Sequence, residues 1–307
     1  MEVVHGLEKF PSLSDHSIVA IGNFDGIHLG HHKILECLEK SAREYGLFSL
    51  VLTFFPHPGK ILGKNKLKMI QTLDQKIREI RKFDIQVLLI IPFDEQFASL
   101  TGQDFIQKIV LNTLRAKAVI VGKNFYFGKN REGDVSLLHR LSSKLKFRVC
   151  SIPAVIQNGE TVSSSLIRNL LQEGKVEKAN RLLGRSYEIE GEVVKGQSRG
   201  KALGFPTANI ETENEIIPQG VFITKTRVES KILPSMTNVG KQPTFDQKDL
   251  NIESFIIDFD RDLYGEHIGI YFLKKIRDQM KFRTADELAR QLEDDLQTTK
   301  AYFQTKT

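Results

Sequence analysis

IGNFDGIHLGHHKIL, residues Ile21 to Leu35, joins two apolar segments of different period. Upstream, Ile18, Val19, Ala20 and Ile21 form a run without a polar face and read as a buried strand. Downstream, Ile34, Leu35, Leu38, Ala42 and Tyr45 recur at helical spacing. The join is therefore a strand-to-helix turn, with the helix expected to begin near His31. A turn alone needs only two or three small residues, whereas this one carries Gly22, Asp25, Gly26, His28, Gly30 and His31.

Working outward, the same alternation continues to about residue 152. Apolar runs at Ile18–Ile21, Leu50–Phe54, Val87–Ile91, Ala118–Val121 and Arg148–Ile152 are separated by helical stretches such as Asp74–Phe83 and Asp104–Leu114. Strands without a polar face, linked by helix-length connections, imply a parallel sheet covered on both sides. The expected fold is a doubly wound α/β domain of Rossmann-like type, with its ligands at the carboxyl ends of the strands. The pattern changes near Leu183-Gly184-Arg185. Beyond it, strand candidates at Tyr187–Lys195, Gly220–Val228, Ile232–Val239, Ile252–Phe259 and Ile268–Ile276 follow one another through turns rich in Gly, Pro, Asn and Asp. That spacing indicates an antiparallel β-barrel, closed by one amphipathic helix from about Thr284 to Tyr302. Two domains are expected, residues 1–184 and 185–307.

The bulk numbers fit this division. A chain of 307 residues is long enough for two cores, and 40% hydrophobic with 27% charged residues is a globular composition. No run approaches the ~18 apolar residues of a membrane span, and MEVVHGLEKF lacks the features of a signal peptide, so a cytoplasmic location without membrane contact is expected. Cys37 and Cys150, on a helix's apolar side and in an apolar strand, read as core residues rather than a disulfide or metal pair. The net charge of +6 suits an anionic partner such as a nucleotide, or merely a basic surface. Lys and Arg are scattered without a block, which argues against a nucleic-acid track.

The turn's composition matches phosphate chemistry. Gly22, Gly26 and Gly30 permit close backbone approach, and a helix N-terminus offers unpaired N–H groups and a partial positive charge. His28 and His31, three residues apart around that start, can both reach one phosphate chain; the plainer alternative is glycines for a tight turn and histidines that cap the helix or sit on the surface. The set G-x-F-D-G-x-H-x-G-H, complete from Gly22 to His31 and including Phe24 and Asp25, resembles the HxGH signature of the nucleotidyltransferase superfamily. Attack at an α-phosphate builds charge on phosphate oxygens and needs positioned donors rather than a covalent nucleophile. By the same resemblance, TVSSSLIRNLL (Thr161–Leu171) supplies Ser164, Ser165 and Arg168 to the triphosphate; otherwise it reads as a capped helix with a surface arginine. After the second and fourth strands, TFFPHP (Thr53–Pro58) and VGKNFYFGKNREGD (Val121–Asp134) open on the same sheet edge. His57 there reads as structural, Phe125, Tyr126 and Phe127 as core or as a ring platform, and Asn124 as the polar residue best placed for a nucleotide.

The second half has its own constellation in GEVVKGQSRGKALGFPTANI, Gly191–Ile210. Taken alone, the stretch reads as a Gly-rich β connection with an edge proline; the other reading is that Thr207 and Asn209, which alternate onto one side of an extended segment, offer two oxygens to a hard cation such as Mg²⁺. No Walker A loop is present. In NIESFIIDFD, Asn251–Asp260, alternation puts Glu253 on a face with Phe255, Ile257 and Phe259, an arrangement that suits equally a general base with a raised pKa and a solvated carboxylate at a frayed strand start.

Together the halves resemble the bacterial bifunctional riboflavin kinase/FMN adenylyltransferase, or FAD synthetase, family. The likeness runs nearly end to end: the motif at Gly22–His31, TFFPHP, SSSLIR, the Gly196–Asn209 stretch, NVGKQPTF (Asn238–Phe245) and LYGEHIGIYFLKKIR (Leu263–Arg277). The resemblance implies a six-stranded kinase barrel in which Thr207 and Asn209 hold Mg²⁺ on ATP, with Gly196 and Lys201 near the nucleotide. Glu253 would take the riboflavin 5′-hydroxyl proton to give FMN. It implies further that His28, His31, Ser164, Ser165 and Arg168 bind a second ATP for the conversion of FMN to FAD, in a monomer or weak homo-oligomer. Asn124-Phe125-Tyr126 departs from the family's frequent Asp-Phe-Arg, Lys201 replaces a common arginine, and Phe222 a frequent tyrosine. A single-activity adenylyltransferase with a flavin-binding β domain, or a nucleotide- or nucleic-acid-binding regulator, would account for parts of the pattern.

Overall fold

The structure is a computed structural model of the chain and describes residues 1–63, 67–196, 204–241 and 250–305. It groups into two compact units, Met1–Lys68 with Thr72–Ser164, and Met69–Gln71 with Ser165–Thr307.

In the first unit, six parallel strands form one sheet: β1 (Glu2–His5), β2 (Ser17–Ile21), β3 (Phe48–Phe55), β4 (Val87–Pro92), β5 (Ala116–Gly122) and β6 (Arg148–Ile152), in the order β1-β4-β3-β2-β5-β6. All five residues of β2 are buried, as expected of a central strand covered on both faces. One apolar cluster, with Val19, Leu50, Leu89 and Phe105, lies on one side, and another, with Ile18, Leu35, Leu38 and Leu88, on the other. The helices are α1 (Leu29–Tyr45), α2 (Pro58–Ile61), α3 (Leu73–Ile80), α4 (Glu95–Ala98), α5 (Gly102–Asp104) and α6 (Val135–Leu145). The expected helix at 104–114 is wound instead as a π-helix over Phe105–Thr113, directly after α5. The order reverses between β2 and β5, so the loops after these two strands flank the crevice where such sheets bind ligands.

β1 was not anticipated, because four residues with one buried side chain carry almost no periodic signal. The cysteine expectation also needs correction. Cys37 on α1 is half-buried, but Cys150 is exposed on the edge strand β6, and the two free thiols lie 3.9 Å apart at sulfur. An edge strand has one neighbour, so an apolar-looking run there is not fully covered.

The second unit is a closed antiparallel barrel of β9 (Tyr187–Val194), β10 (Ala208–Thr212), β11 (Gly220–Val228), β12 (Lys231–Lys241), β13 (Leu250–Ile256) and β14 (His267–Arg277), in the order β10-β13-β12-β11-β14-β9. Among the described residues, the short pair β7 (Ile156–Gln157) and β8 (Glu160–Thr161) lies outside both sheets. Helices α7 (Ser164–Gln172) and α8 (Val176–Leu183) precede the barrel. Asn180 fastens α8 to it, donating to the Phe272 carbonyl at 2.7 Å and accepting from the Tyr187 amide at 2.7 Å. The barrel buries a hydroxyl cluster: Thr224, Thr226, Ser235, Thr237 and Ser254 bond one another at 2.8–3.1 Å. Because every member has partners, the cluster avoids the penalty of an unmet buried polar group.

The last helix, α9 (Ala285–Gln304), starts at Thr284, whose hydroxyl accepts from the Glu287 amide at 3.2 Å. Its Leu296 and Leu292 pack on Phe205, Phe255 and Ile257. Asp295, 1% exposed, accepts from the Arg277 guanidinium with both oxygens: Nε lies 3.1 and 3.0 Å from them, and Nη2 lies 2.7 Å from one. Removing one partner of a buried pair strands the other charge. Asp295→Ala is therefore expected to lower stability by about 3 kcal/mol, read as a shifted urea midpoint at unchanged slope; an unmoved midpoint would show that the pair does not hold α9 in place.

Candidate functional site

The turn after β2 is held in a shape that its own residues do not favour. Phe24 (φ 48°), Gly26 (φ 89°) and Ile27 (φ 37°) occupy the left-handed region, rare for a β-branched residue. The Phe24 and Ile27 side chains are wholly buried and anchor it. A Cβ on Gly22 would come 3.2 Å from the Phe24 ring.

The helix then starts at Leu29, not near His31, because His28 is its N-cap. Its Nδ1 accepts from the amides of Gly30 at 3.1 Å and His31 at 3.3 Å. A neutral imidazole that accepts at Nδ1 carries its proton at Nε2, so the hydrogen-bond pattern makes Nε2 a donor. His31 stacks on His28, ring centroids 3.7 Å apart and 14° from parallel. A Cβ on Gly30 would lie 3.1 Å from His28 Cε1, closer than side chains ordinarily pack, so a larger residue there would push on the capping ring. The two imidazoles thus form one paired unit at a helix N-terminus.

The turn is also fastened from outside. The Asn23 carbonyl accepts from Lys76 Nζ at 2.9 Å and Thr53 Oγ1 at 3.2 Å, and the Asp25 carbonyl accepts from Ser164 Oγ at 2.8 Å. Lys76 is only 3% exposed and Asp25 1%. Burial pushes the Lys76 ammonium down to about 8, while the Asp25 carboxylate pulls it upward. Sequence reasoning missed Lys76, since a lysine in a helical stretch reads as solvated; the charge balance around Asp25 is visible only in three dimensions.

Around this centre, His57 caps α2 by accepting from the Gly59 amide at 2.9 Å. Asn124 is exposed in the loop after β5. Of the aromatic trio beside it, Phe127 is buried and stacks on Phe125 at 5.4 Å, whereas Tyr126 is exposed beneath the Arg131 guanidinium at 4.6 Å. Ser164 stands at the start of α7 in the first unit; Ser165, exposed, and Arg168, half-buried, follow on the same helix and group with the second unit.

In the barrel, cross-strand pairing assembles a polar row. Glu253 on β13 faces Asn209 on β10 and Asn238 on β12, so the three side chains share one side of the sheet. Asn251 Nδ2 donates to Glu253 Oε1 at 2.6 Å, and Gln279 Nε2 donates to Asn238 Oδ1. Asn209 is 8% exposed and lies over Gly196, where a Cβ would fall 2.1 Å from its amide nitrogen. Thr207 is half-buried just before β10. Lys201 lies outside the described residues.

The expected apolar surroundings of Glu253 hold only on one side. Phe255 shares its face and meets Phe205 at 5.3 Å, and Ile257 joins that cluster. The strand ends at Ile256, however, and Phe259 lies beyond it near Arg261. Asn238 and Asn251 each head a stretch quoted above but were given no role there, because only the folded sheet brings them to Glu253. Phe222, wholly buried and edge-on to Phe272 at 5.1 Å, is a core residue. Such a row can position a hydroxyl beside a carboxylate.

Among the described residues, no group of three or more His, Cys, Asp or Glu side chains is placed to hold a metal, and no helix is long and apolar enough to cross a membrane. The sequence matches the FAD synthetase family over residues 11–166 and the riboflavin kinase family over residues 183–303. It is 37% identical to the bifunctional riboflavin kinase/FMN adenylyltransferase of Bacillus subtilis (strain 168), across 94% of this chain and 92% of that protein. It is 35% identical to the protein of that description from Buchnera aphidicola subsp. Acyrthosiphon pisum, across 99% and 98%. A crystal structure described as a macrolide-efflux protein from Streptococcus pneumoniae superposes with a TM-score of 0.90 at 30% identity, across 98% of this chain and 99% of that one. With both motif sets in one polypeptide and relatives matched end to end, the chain belongs to the bacterial bifunctional riboflavin kinase/FMN adenylyltransferase family.

Proposed function

We propose that the chain makes FMN from riboflavin and ATP at its barrel, and FAD from FMN and a second ATP at the turn after β2. The observation that carries this reading is that one polypeptide holds both a stacked imidazole pair at a helix N-terminus and a carboxylate framed by asparagines on a barrel wall. The first activity is assigned to residues 185–307 and the second to 1–184.

In the kinase step, Glu253 takes the proton of the riboflavin 5′-hydroxyl as its oxygen attacks the ATP γ-phosphorus. The bond to the β,γ-bridging oxygen breaks, and ADP leaves. Asn251, donating to Glu253, keeps the carboxylate oriented, and Gly196 leaves the space that Asn209 fills. Thr207 and Asn209 fit Mg²⁺, since both offer neutral oxygens and the ion commonly keeps water and substrate phosphate as its remaining ligands. Bound there, it would neutralise charge on the phosphates. Lys201 is assigned to the same nucleotide.

In the adenylyl step, an FMN phosphate oxygen attacks the α-phosphorus and pyrophosphate leaves. His28 Nε2–H and His31 donate to phosphate oxygens where charge develops. Gly22, Phe24, Asp25 and Gly30 shape the turn, Asn124 contacts the nucleotide, and Ser165 and Arg168 supply further phosphate donors. Ser164, whose one hydroxyl proton is committed to the Asp25 carbonyl, fastens the turn. The enzyme is assigned to the cytoplasm, where riboflavin, FMN, FAD and ATP are its small-molecule partners.

Purified protein given riboflavin, ATP and Mg²⁺ is expected to accumulate FMN first and FAD second by chromatography. FMN without FAD would remove the assignment of the first unit; FAD from supplied FMN but no FMN from riboflavin would favour the single-activity reading.

A further inference from the structure

The Gly22–Ile27 turn has positive φ at Phe24, Gly26 and Ile27, and backbone of that kind persists only where its surroundings over-determine it. Here the surroundings are Thr53 from β3, Ser164 from α7 and Lys76 from α3. Two of these donors are hydroxyls. The third is an ammonium 3% exposed, although a neutral donor would satisfy one carbonyl equally well. A buried charge is costly unless it is balanced. The group that balances it is Asp25, 1% exposed and inside the turn itself, so the charge pairing acts on the loop that ends at His28.

We propose that Lys76 is a positioning residue for adenylyl transfer, holding the Gly22–Ile27 turn in the one shape that aims the His28–His31 pair at the phosphates of ATP. The inference rests on the assignment of this turn to ATP. Without the ammonium, the turn samples other shapes, and only the fraction still in the competent shape binds substrate. Apparent affinity falls by that fraction, whereas the rate at saturation is kept. The signature is therefore in KM.

The test uses the full chain, with adenylyl transfer measured from supplied FMN and varied ATP. Lys76→Met removes the charge at nearly constant length. It is expected to raise the KM for ATP by roughly 10- to 100-fold with kcat within about threefold of the parent, and Lys76→Arg is expected to recover part of that loss. Thr53→Val, which deletes the other donor to the same carbonyl at constant shape, is expected to raise KM a few-fold in the same direction. It decides the matter if Lys76→Met does not fold. An unchanged KM in Lys76→Met, or in Thr53→Val where the first variant is unfolded, overturns the proposal, as does a fall in kcat at constant KM. If the parent protein makes no FAD from FMN, the assignment of the site fails instead, a result readable before any variant is made.

Discussion

Glu253→Gln is expected to abolish FMN formation while FAD formation from supplied FMN continues. The substitution keeps the side chain's size and can still offer an oxygen to Asn251 Nδ2, which sits 2.6 Å from the carboxylate. What it loses is the capacity to accept a proton. General-base catalysis contributes about 10²- to 10⁴-fold, so kcat for the kinase step should fall by that range with the riboflavin KM little changed. The asparagines facing Glu253 across both neighbouring strands do not compensate, because an amide is no base at neutral pH. The informative comparison is between starting materials: the variant should yield FAD from FMN and none from riboflavin. Undiminished phosphorylation would demote Glu253 to a structural carboxylate, and joint loss of both reactions would argue against independent sites.

Much of the architecture was legible because it depends on one-dimensional patterns. Runs such as Ile18–Ile21 and Val87–Ile91 have no polar face, which leaves few arrangements besides a covered parallel sheet. The features that escaped notice depend on contacts distant in sequence or on unusual local choices. β10 (Ala208–Thr212) lies in a stretch read as an extended, Gly-rich connection and not counted among the strands, and it joins the barrel by pairing with β9 and β13. Thr224, Thr226 and Ser235 look like solvent-facing positions of amphipathic strands, yet each is wholly buried because they satisfy one another. α1 starts at Leu29, two residues before the expected position near His31, with His28 as its cap; an imidazole lies outside the usual Ser, Thr, Asp and Asn set, so the capping reading of these histidines was outweighed by the phosphate one. At the site, motif residues were readable, but Lys76 was not, and nothing in the quoted stretches showed that Asn238 and Asn251 meet Glu253. A supporting residue is defined by what it touches, and single residues of ordinary type carry no spacing signal.

That displaced cap makes the second large prediction sharper than a simple histidine deletion. His28→Ala removes both the acceptor for the Gly30 and His31 amides and the Nε2 donor assigned to phosphate. Loss of a cap costs about 1 kcal/mol, or a lowering of Tm by about 2–4 °C for a unit of this size. Loss of a preorganised donor to a developing negative charge costs about 10²- to 10³-fold in kcat. The two effects separate in His28→Asn. Asparagine caps helices as well as any residue, so stability should return to nearly the parent value, but its short amide cannot place a donor where the imidazole Nε2 stands. Adenylyl transfer should therefore stay depressed by about 10²-fold or more in both variants, with riboflavin phosphorylation unaffected. His31→Ala completes the comparison: His31 contributes only its amide to the cap, so turnover should drop on the same scale without a lost cap. If His28→Asn regained turnover along with stability, the imidazole would be a helix cap and nothing more. The stacked ring 3.7 Å away on His31 would then have to supply the phosphate donor alone.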